Sequence, residues 1–215
     1  MKEISSDHVK GTDGVAIIEL LKQQVSDHLA VVGACEPLLS ALVDTSEEVC
    51  TRLDKGGTVF TFGNGGSAAD AQHLAAELVG RYSRDRRPLA AVSLATDPSV
   101  TTCIANDYSY DDVFGRQVRA LVGPNDVVIA FSTSGQSPNV VNGLAAAQEA
   151  GALTVLFTGG SGVAAARYAE RVFRVPSAST ARVQEGHLLL LHLLSEQVDQ
   201  WAAGVGSGAR RDLGQ

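Results

Sequence analysis

Aromatic residues are scarce, 5% of a 215-residue chain, and charged residues make up only 19%. Cysteine is rarer still: Cys35, Cys50 and Cys103 are scattered, odd in number and outside any CxxC spacing, which favours reduced thiols acting as small hydrophobes over a disulfide framework. An excess of positive charge is missing too, since 17 Lys plus Arg against 24 Asp plus Glu leave a formal charge of −7. No global electrostatic footprint for nucleic acid or an anionic membrane follows from that balance, so an anionic ligand must be held by local donors. The opening MKEISSDHVKGTDG carries acids where a secretory leader needs an apolar core, and no apolar run is expected to reach the ~20 residues of a membrane span. The expectation is a cytoplasmic protein without nucleic-acid or membrane partners.

Hydrophobic residues at 45% and 22 glycines suit a compact α/β domain, and the length suits one such domain rather than two with a linker. Residues 1–12 read as a flexible arm, 13–203 as a single domain with an amino-terminal helical layer, and 204–215, GVGSGARRDLGQ, as a flexible tail. Val15 to about Leu53 reads as two amphipathic helices, with Ile17, Ile18, Leu21, Val25 and Leu29 on one face of the first, a packing or oligomer layer. From Gly57 onward the apolar stretches TVFTF, LAAVSL, DVVIAF, LTVLF and RVFRV alternate with helical ones, the last helix starting near Gln184. Short apolar strands alternating with helices predict a five-stranded parallel sheet covered on both faces, a three-layer sandwich, because parallel strands need helical crossovers. Ligands of such sheets bind beyond the carboxyl ends of the strands.

Two loops leave predicted strand ends. Gly63-Asn64-Gly65-Gly66-Ser67 opens a helix that carries His73 and Glu77. Their i,i+4 spacing places an imidazole and a carboxylate side by side, about 5–6 Å apart at Cβ, as an acid/base or metal pair. Gly63, Gly65 and Ala68 also satisfy GxGxxA, yet a dinucleotide site wants an acid about 20 residues on, and the strand-end candidate, Asp97, comes some 30 later. The second loop, Ser132-Thr133-Ser134-Gly135-Gln136-Ser137, precedes Pro138, which suits a helix capped by Ser137. Four hydroxyls at a helix start make a phosphate cradle that needs no lysine. On the last helix His187 reads as a core or interface residue, whereas His192, an imidazole among leucines, needs a polar partner that the His73/Glu77 pair can supply.

The segments FGNGGSAADAQHLAAEL, ANDYSYDDVFGRQV, STSGQSPNV and STARVQEGHLLLLHLL, in that order, resemble the sugar isomerase (SIS) domain family and, within it, the phosphoheptose isomerases. The resemblance spans about Val15 to Trp201. It implies a flavodoxin-like SIS domain preceded by two helices, and a homotetramer with active sites shared between subunits. It also implies that Asn64, Gly65, Gly66 and Ser67 form a first sugar-binding loop, Asn106 and Asp107 a second, and Ser132, Thr133, Ser134 and Ser137 the phosphate loop. His73, Glu77, Gln184 and His192 match the family's zinc ligands, for one ion per subunit at full or partial occupancy, with Glu77 and His192 doubling as the acid/base residues and Glu77 and Gln184 also meeting substrate. Gln184 and His192 are eight residues apart, about 12 Å along a continuous helix, so either Gln184 lies before the helix proper or a neighbouring subunit helps. The implied reaction is isomerisation of sedoheptulose 7-phosphate to a D-glycero-heptose 7-phosphate, D-glycero-D-manno-heptose 7-phosphate in particular, through a cis-enediol. The rivals are an SIS isomerase for another phosphosugar in a secondary-metabolite pathway, and a non-catalytic SIS module that senses sugar phosphate or binds DnaA. A pure binding module has no need of a carboxylate at 77 and an imidazole at 192.

Overall fold

The structure is a computed structural model and describes residues 12–160 and 162–204. The expected arm over 1–12 and tail over 204–215 fall, but for Thr12 and Gly204, outside the described residues. The chain begins with α1 (Thr12–Gly33), a short 3-10 turn (Glu36–Leu38) and α2 (Leu39–Asp54). The alternating region follows as β1 (Val59–Gly63), α3 (Gly66–Val79), β2 (Ala91–Ser93), α4 (Pro98–Asp107), a 3-10 turn (Tyr110–Asp112), α5 (Val113–Leu121), β3 (Val127–Ser132), α6 (Pro138–Glu149), β4 (Leu153–Thr158), α7 (Val163–Ala166), β5 (Arg171–Arg174) and α8 (Thr180–Ala202).

All neighbouring strands run parallel, in the order β2-β1-β3-β4-β5. The flavodoxin-like sandwich expected from the strand and helix pattern is the fold observed. Every residue of β1, β3 and β4 is buried, which is why these strands read as continuous apolar runs rather than alternating ones. Their side chains alternate between two cores. Val59, Ile129, Phe131, Val155 and Phe157 join Leu74, Leu78, Leu190, Leu191 and Leu194 from α3 and α8 on one face. Phe60, Phe62, Val128, Ala130 and Leu156 meet Phe114, Val118, Val140 and Leu144 from α5 and α6 on the other. Phe131, Phe157 and Phe173 stack in series with centroids 4.9 and 5.0 Å apart. Each such fully buried side chain contributes roughly 1.5–3 kcal/mol of transfer free energy.

The order reverses between β1 and β3, so the crossover after β1 leaves one way and the crossover after β3 the other. The crevice between their carboxyl ends is the switch point where doubly wound sheets bind ligands. Both loops singled out in the sequence emerge there. The last helix starts at Thr180, four residues before the expected Gln184. Gln184 therefore lies inside α8, and the idea that it precedes the helix proper is corrected. Gly14–Asp54 is, by length and composition alone, apolar enough to cross a membrane, contrary to the expectation that no run would qualify. In the structure α1 lies against α8, tied by His28 to Glu185 at 2.7 Å and by Arg182 donating to the Gln24 carbonyl. Its Ile17, Ile18, Leu21, Val25 and Leu29 are exposed.

Candidate active site

The first loop turns sharply at Gly65, whose φ of 56° and ψ of −122° suit a residue without Cβ. The turn closes through Ser67 N donating to Asn64 O and Ala68 N to Gly65 O, both at 3.0 Å, and feeds directly into α3. Across the crevice the second loop turns at Gly135, φ 61°. Gly135 N donates to the Ser132 carbonyl and hydroxyl, and Gly159 N holds the Thr133 carbonyl at 3.0 Å. Ser137 is the N-cap of α6 with Pro138 in the first turn, as the sequence suggested, but its hydroxyl caps no backbone N–H. Pro138 has no N–H, and Val140 N and Val141 N already donate to the Ser137 carbonyl, so what this helix start offers an anion is the loop hydroxyls with the Asn139 N–H.

A cavity of about 260 Å³ lies between the loops, lined by Asn64, Gly66, Ser67, Phe131, Ser132, Thr133, Ser134, Ser137, Thr180 and Gln184. The Gln184 amide packs so closely on Gly66 that a Cβ there would come within 2.3 Å of Nε2. Asn106 and Asp107 are not among the lining residues. They sit exposed at the end of α4, where the Asn106 amide donates to Asp107 Oδ1 at 2.8 Å. Asp97, weighed as a ribose-binding acid, instead caps α4 by accepting from Ser99 N and Val100 N. The dinucleotide reading thus loses its acid.

Further along α3 and α8, His73 Nε2 is 2.9 Å from Glu77 Oε1 and 3.3 Å from His192 Nε2. The buried stripe of α3, Ser67, Ala71, Leu74, Ala75 and Leu78, faces the sheet and leaves His73 and Glu77 on the flank toward α8. Burial, then the neighbouring His73, hold the His192 imidazole below its ordinary pKa, with Glu77 acting in the opposite sense. Asp70, one turn before His73 on α3, is half-buried. Burial pushes it up to about 6 against the pull of His73, and its Oδ2 has no partner.

His73, Glu77 and His192 each offer a ligand atom, all within 4.8 Å of one another. Two nitrogens on a tetrahedral zinc, each bound at 2.0–2.1 Å, lie about 3.3 Å apart, so the His73–His192 spacing fits shared coordination. Two His and a carboxylate with an open position are also a donor set that zinc accepts for catalysis. Gln184 is on the same helix two turns before His192 and lines the cavity between the loops.

Three features escaped the sequence reading. Asn139, 1% exposed, exchanges amide hydrogen bonds with Asn64. Tyr110 donates to the same Asn64 Oδ1 at 3.1 Å. Arg86 and Asp199 form a fully buried ion pair behind the cluster. Only Asn139 had a local signal, an amide directly after the Ser-Pro start of α6.

A sugar-phosphate isomerase must hold an ester phosphate and move protons on carbon and oxygen, and a hydroxyl-lined cavity with a carboxylate and imidazoles further along the same two helices offers groups for both tasks. The chain is an enzyme of that aldose–ketose class. Residues 30–159 match the family model for the SIS domain. The phosphoheptose isomerase of Aquifex aeolicus (strain VF5) is 50% identical over 159 residues, 74% of this chain and 83% of the relative. That of Paramagnetospirillum magneticum (strain ATCC 700264 / AMB-1) is 48% identical over 191 residues, 85% and 96% of the two chains. The solved phosphoheptose isomerase GmhA of Neisseria gonorrhoeae superposes with a TM-score of 0.81 at 38% identity, covering 86% of this chain and 99% of that one. The chain belongs to the SIS domain family, among its phosphoheptose isomerases.

Proposed function

We propose that the enzyme isomerises sedoheptulose 7-phosphate to D-glycero-D-manno-heptose 7-phosphate through a cis-enediol, in the cytoplasm. The observation that carries the heptose is the likeness to relatives named phosphoheptose isomerase, 50% identical over 74% of the chain and 48% over 85%.

In this reading Ser132, Thr133, Ser134 and Ser137 hold the phosphate with the Asn139 N–H. Asn64, Gly65, Gly66 and Ser67, with Gln184, hold the sugar hydroxyls, and Asn106 and Asp107 approach from α4. One group takes a proton from C1 and returns it to C2, while the other carries the O1 proton to O2. Glu77 and His192 fill these two roles, and the low proton affinity of His192 keeps it neutral and able to accept at neutral pH. His73, Glu77 and His192, with Gln184 as a neutral fourth donor, would hold a zinc ion. When bound, it would stabilise negative charge on the enediolate oxygens.

Exposed aliphatic side chains along α1 support assembly with sister subunits, a homotetramer with shared sites. Light scattering at micromolar concentration that gave a monomeric mass would overturn it. The reaction itself is tested by incubating purified enzyme with sedoheptulose 7-phosphate and following products by NMR. Appearance of the aldoheptose 7-phosphate is expected, and an unchanged spectrum would reject the function.

A further inference from the structure

Arg86 lies in the segment between α3 and β2, far in sequence from anything that lines the crevice, and its side chain is only 1% exposed. A guanidinium is costly to bury unless its donors are met, and here each of its three nitrogens has an acceptor. Nε donates to Asp199 Oδ1 at 3.1 Å, Nη1 to the carbonyls of Leu78, Gly80 and Arg87 at 2.8, 3.0 and 2.9 Å, and Nη2 to the carbonyl of Glu77 at 2.6 Å. The Glu77 and Leu78 carbonyls belong to the last turn of α3, which has no basic residue of its own. Arg86 therefore serves orphan carbonyls at the negative end of the helix.

Asp199, with no side-chain exposure, belongs to α8, seven residues or two turns after His192 on the same face. It also accepts from Arg84 N at 2.9 Å, and from Ser83 N and Oγ at 3.4 and 3.3 Å. Burial alone would raise its pKa, but these donors more than offset it and hold the carboxyl below its ordinary value. Tyr82, the next residue back, places its ring 5.7 Å from the His192 ring. One ion pair thus fastens the backbone of Glu77, the helix of His192 and the segment whose ring packs on that imidazole.

We propose that Arg86 and Asp199 are positioning residues for the reaction: they fix the separation of Glu77 and His192 by clamping the end of α3 to α8. The proposal rests on those two residues being the acid/base pair. Relaxing the clamp shifts one helix against the other, and a displacement near 1 Å far from the chemistry can cost about 10²-fold in rate. Phosphate capture should be spared, because the phosphate loop hangs from β3 and α6 and touches neither residue.

The test compares wild type with Arg86→Lys, which keeps the charge but cannot reach all the carbonyls, and with Asp199→Asn, which keeps the shape. Arg52→Lys serves as a control for loss of an arginine clamp, since the partly buried Arg52 binds the carbonyls of Pro124 and Asp126 ahead of β3 and none on α3 or α8. We expect kcat per native subunit to fall roughly 10- to 100-fold in both clamp variants, with KM changed less than about threefold, while Arg52→Lys loses thermal stability only. The ring resonances of His73 and His192 in chelator-treated protein should move in the clamp variants and stay fixed in Arg52→Lys. Wild-type kcat in the clamp variants, unmoved ring resonances, or failure of both variants to fold would overturn the positioning role. A wild type inactive on sedoheptulose 7-phosphate would defeat the proposed function, and the ring resonances would still decide the clamp.

Discussion

Asn64 and Asn139 face each other across the switch point and exchange two hydrogen bonds, Asn64 Nδ2 to Asn139 Oδ1 at 2.8 Å and Asn139 Nδ2 to Asn64 Oδ1 at 2.9 Å. Tyr110 donates to Asn64 Oδ1 as well, so both lone pairs of that oxygen are committed and the remaining capacity of the side chain is one N–H. Asn64 is held as a donor toward the cavity. Asn139→Ala should therefore loosen the first loop and leave buried groups unpaired, costing about 1–3 kcal/mol. Thermal melts should show it as a Tm lowered by roughly 2–10 °C, and KM should rise several-fold.

The phosphate cradle predicts a different kinetic signature. Ser134→Ala removes a donor used equally in ground and transition states, so KM should rise more than kcat falls. An unchanged KM in steady-state assays would move the phosphate elsewhere.

Glu77→Gln keeps the volume of the side chain and abolishes its basicity. With fold and assembly intact, kcat should fall roughly 10²- to 10⁴-fold with substrate binding largely preserved. In D₂O the native enzyme should exchange deuterium into the substrate, and the variant should not if Glu77 handles the carbon-bound proton. Native-like exchange with slow net turnover would assign Glu77 to the oxygens and His192 to carbon.

Zinc should co-purify at up to one ion per subunit, leave on treatment with a strong chelator, and be lost from His73→Ala. Elemental analysis showing no divalent metal, together with no response to added zinc, would reduce the cluster to acid/base chemistry alone.

His187 sits fully buried between Phe131 and Phe157, with the Thr158 backbone as a weak polar neighbour. Burial lowers it to about 4. Its folded pKa lies below the unfolded value near 6.5, so between these limits the unfolded chain binds a proton that the native chain refuses, and stability falls with acid by up to about 3 kcal/mol. Asp70 acts oppositely: at about 6 its folded pKa exceeds the ordinary carboxyl value of 3.8, so over much of the same window the native state holds the extra proton. Denaturant titrations from pH 7 to 4 should show a flatter acid loss for His187→Leu and a steeper one for Asp70→Asn.

Much of this was legible because parallel strands buried on both faces must be short apolar runs, and because glycine and hydroxyl clusters stand out where such runs end. The i,i+4 geometry of His73 and Glu77 is likewise a local property. What could not be read spans long separations: Asn139 meets Asn64 across 75 residues and Arg86 meets Asp199 across 113. No local spacing encodes such pairs. The pattern puts the start of the last helix near Gln184, yet the helix begins at Thr180 and Val183 already packs in the core. Asn106 and Asp107, matched by resemblance to a sugar-binding loop, end a helix outside the cavity of this subunit.

α8 has a bearing on synthesis as well as on catalysis. The two strand-end loops have their partners once β4, Gly159 and Ala165 have left the ribosome, but Gln184, His192 and Asp199 all come later. Domains form as units during synthesis, and until this helix docks, one face of the sheet has lost the leucines that cover Phe131 and Phe157. A nascent chain at that stage could cradle a phosphate and catalyse nothing. On the proposed assignment, arrival of the same helix both seals the core and supplies the chemistry, so chains that fail to finish folding are left without activity rather than with an unregulated fraction of it.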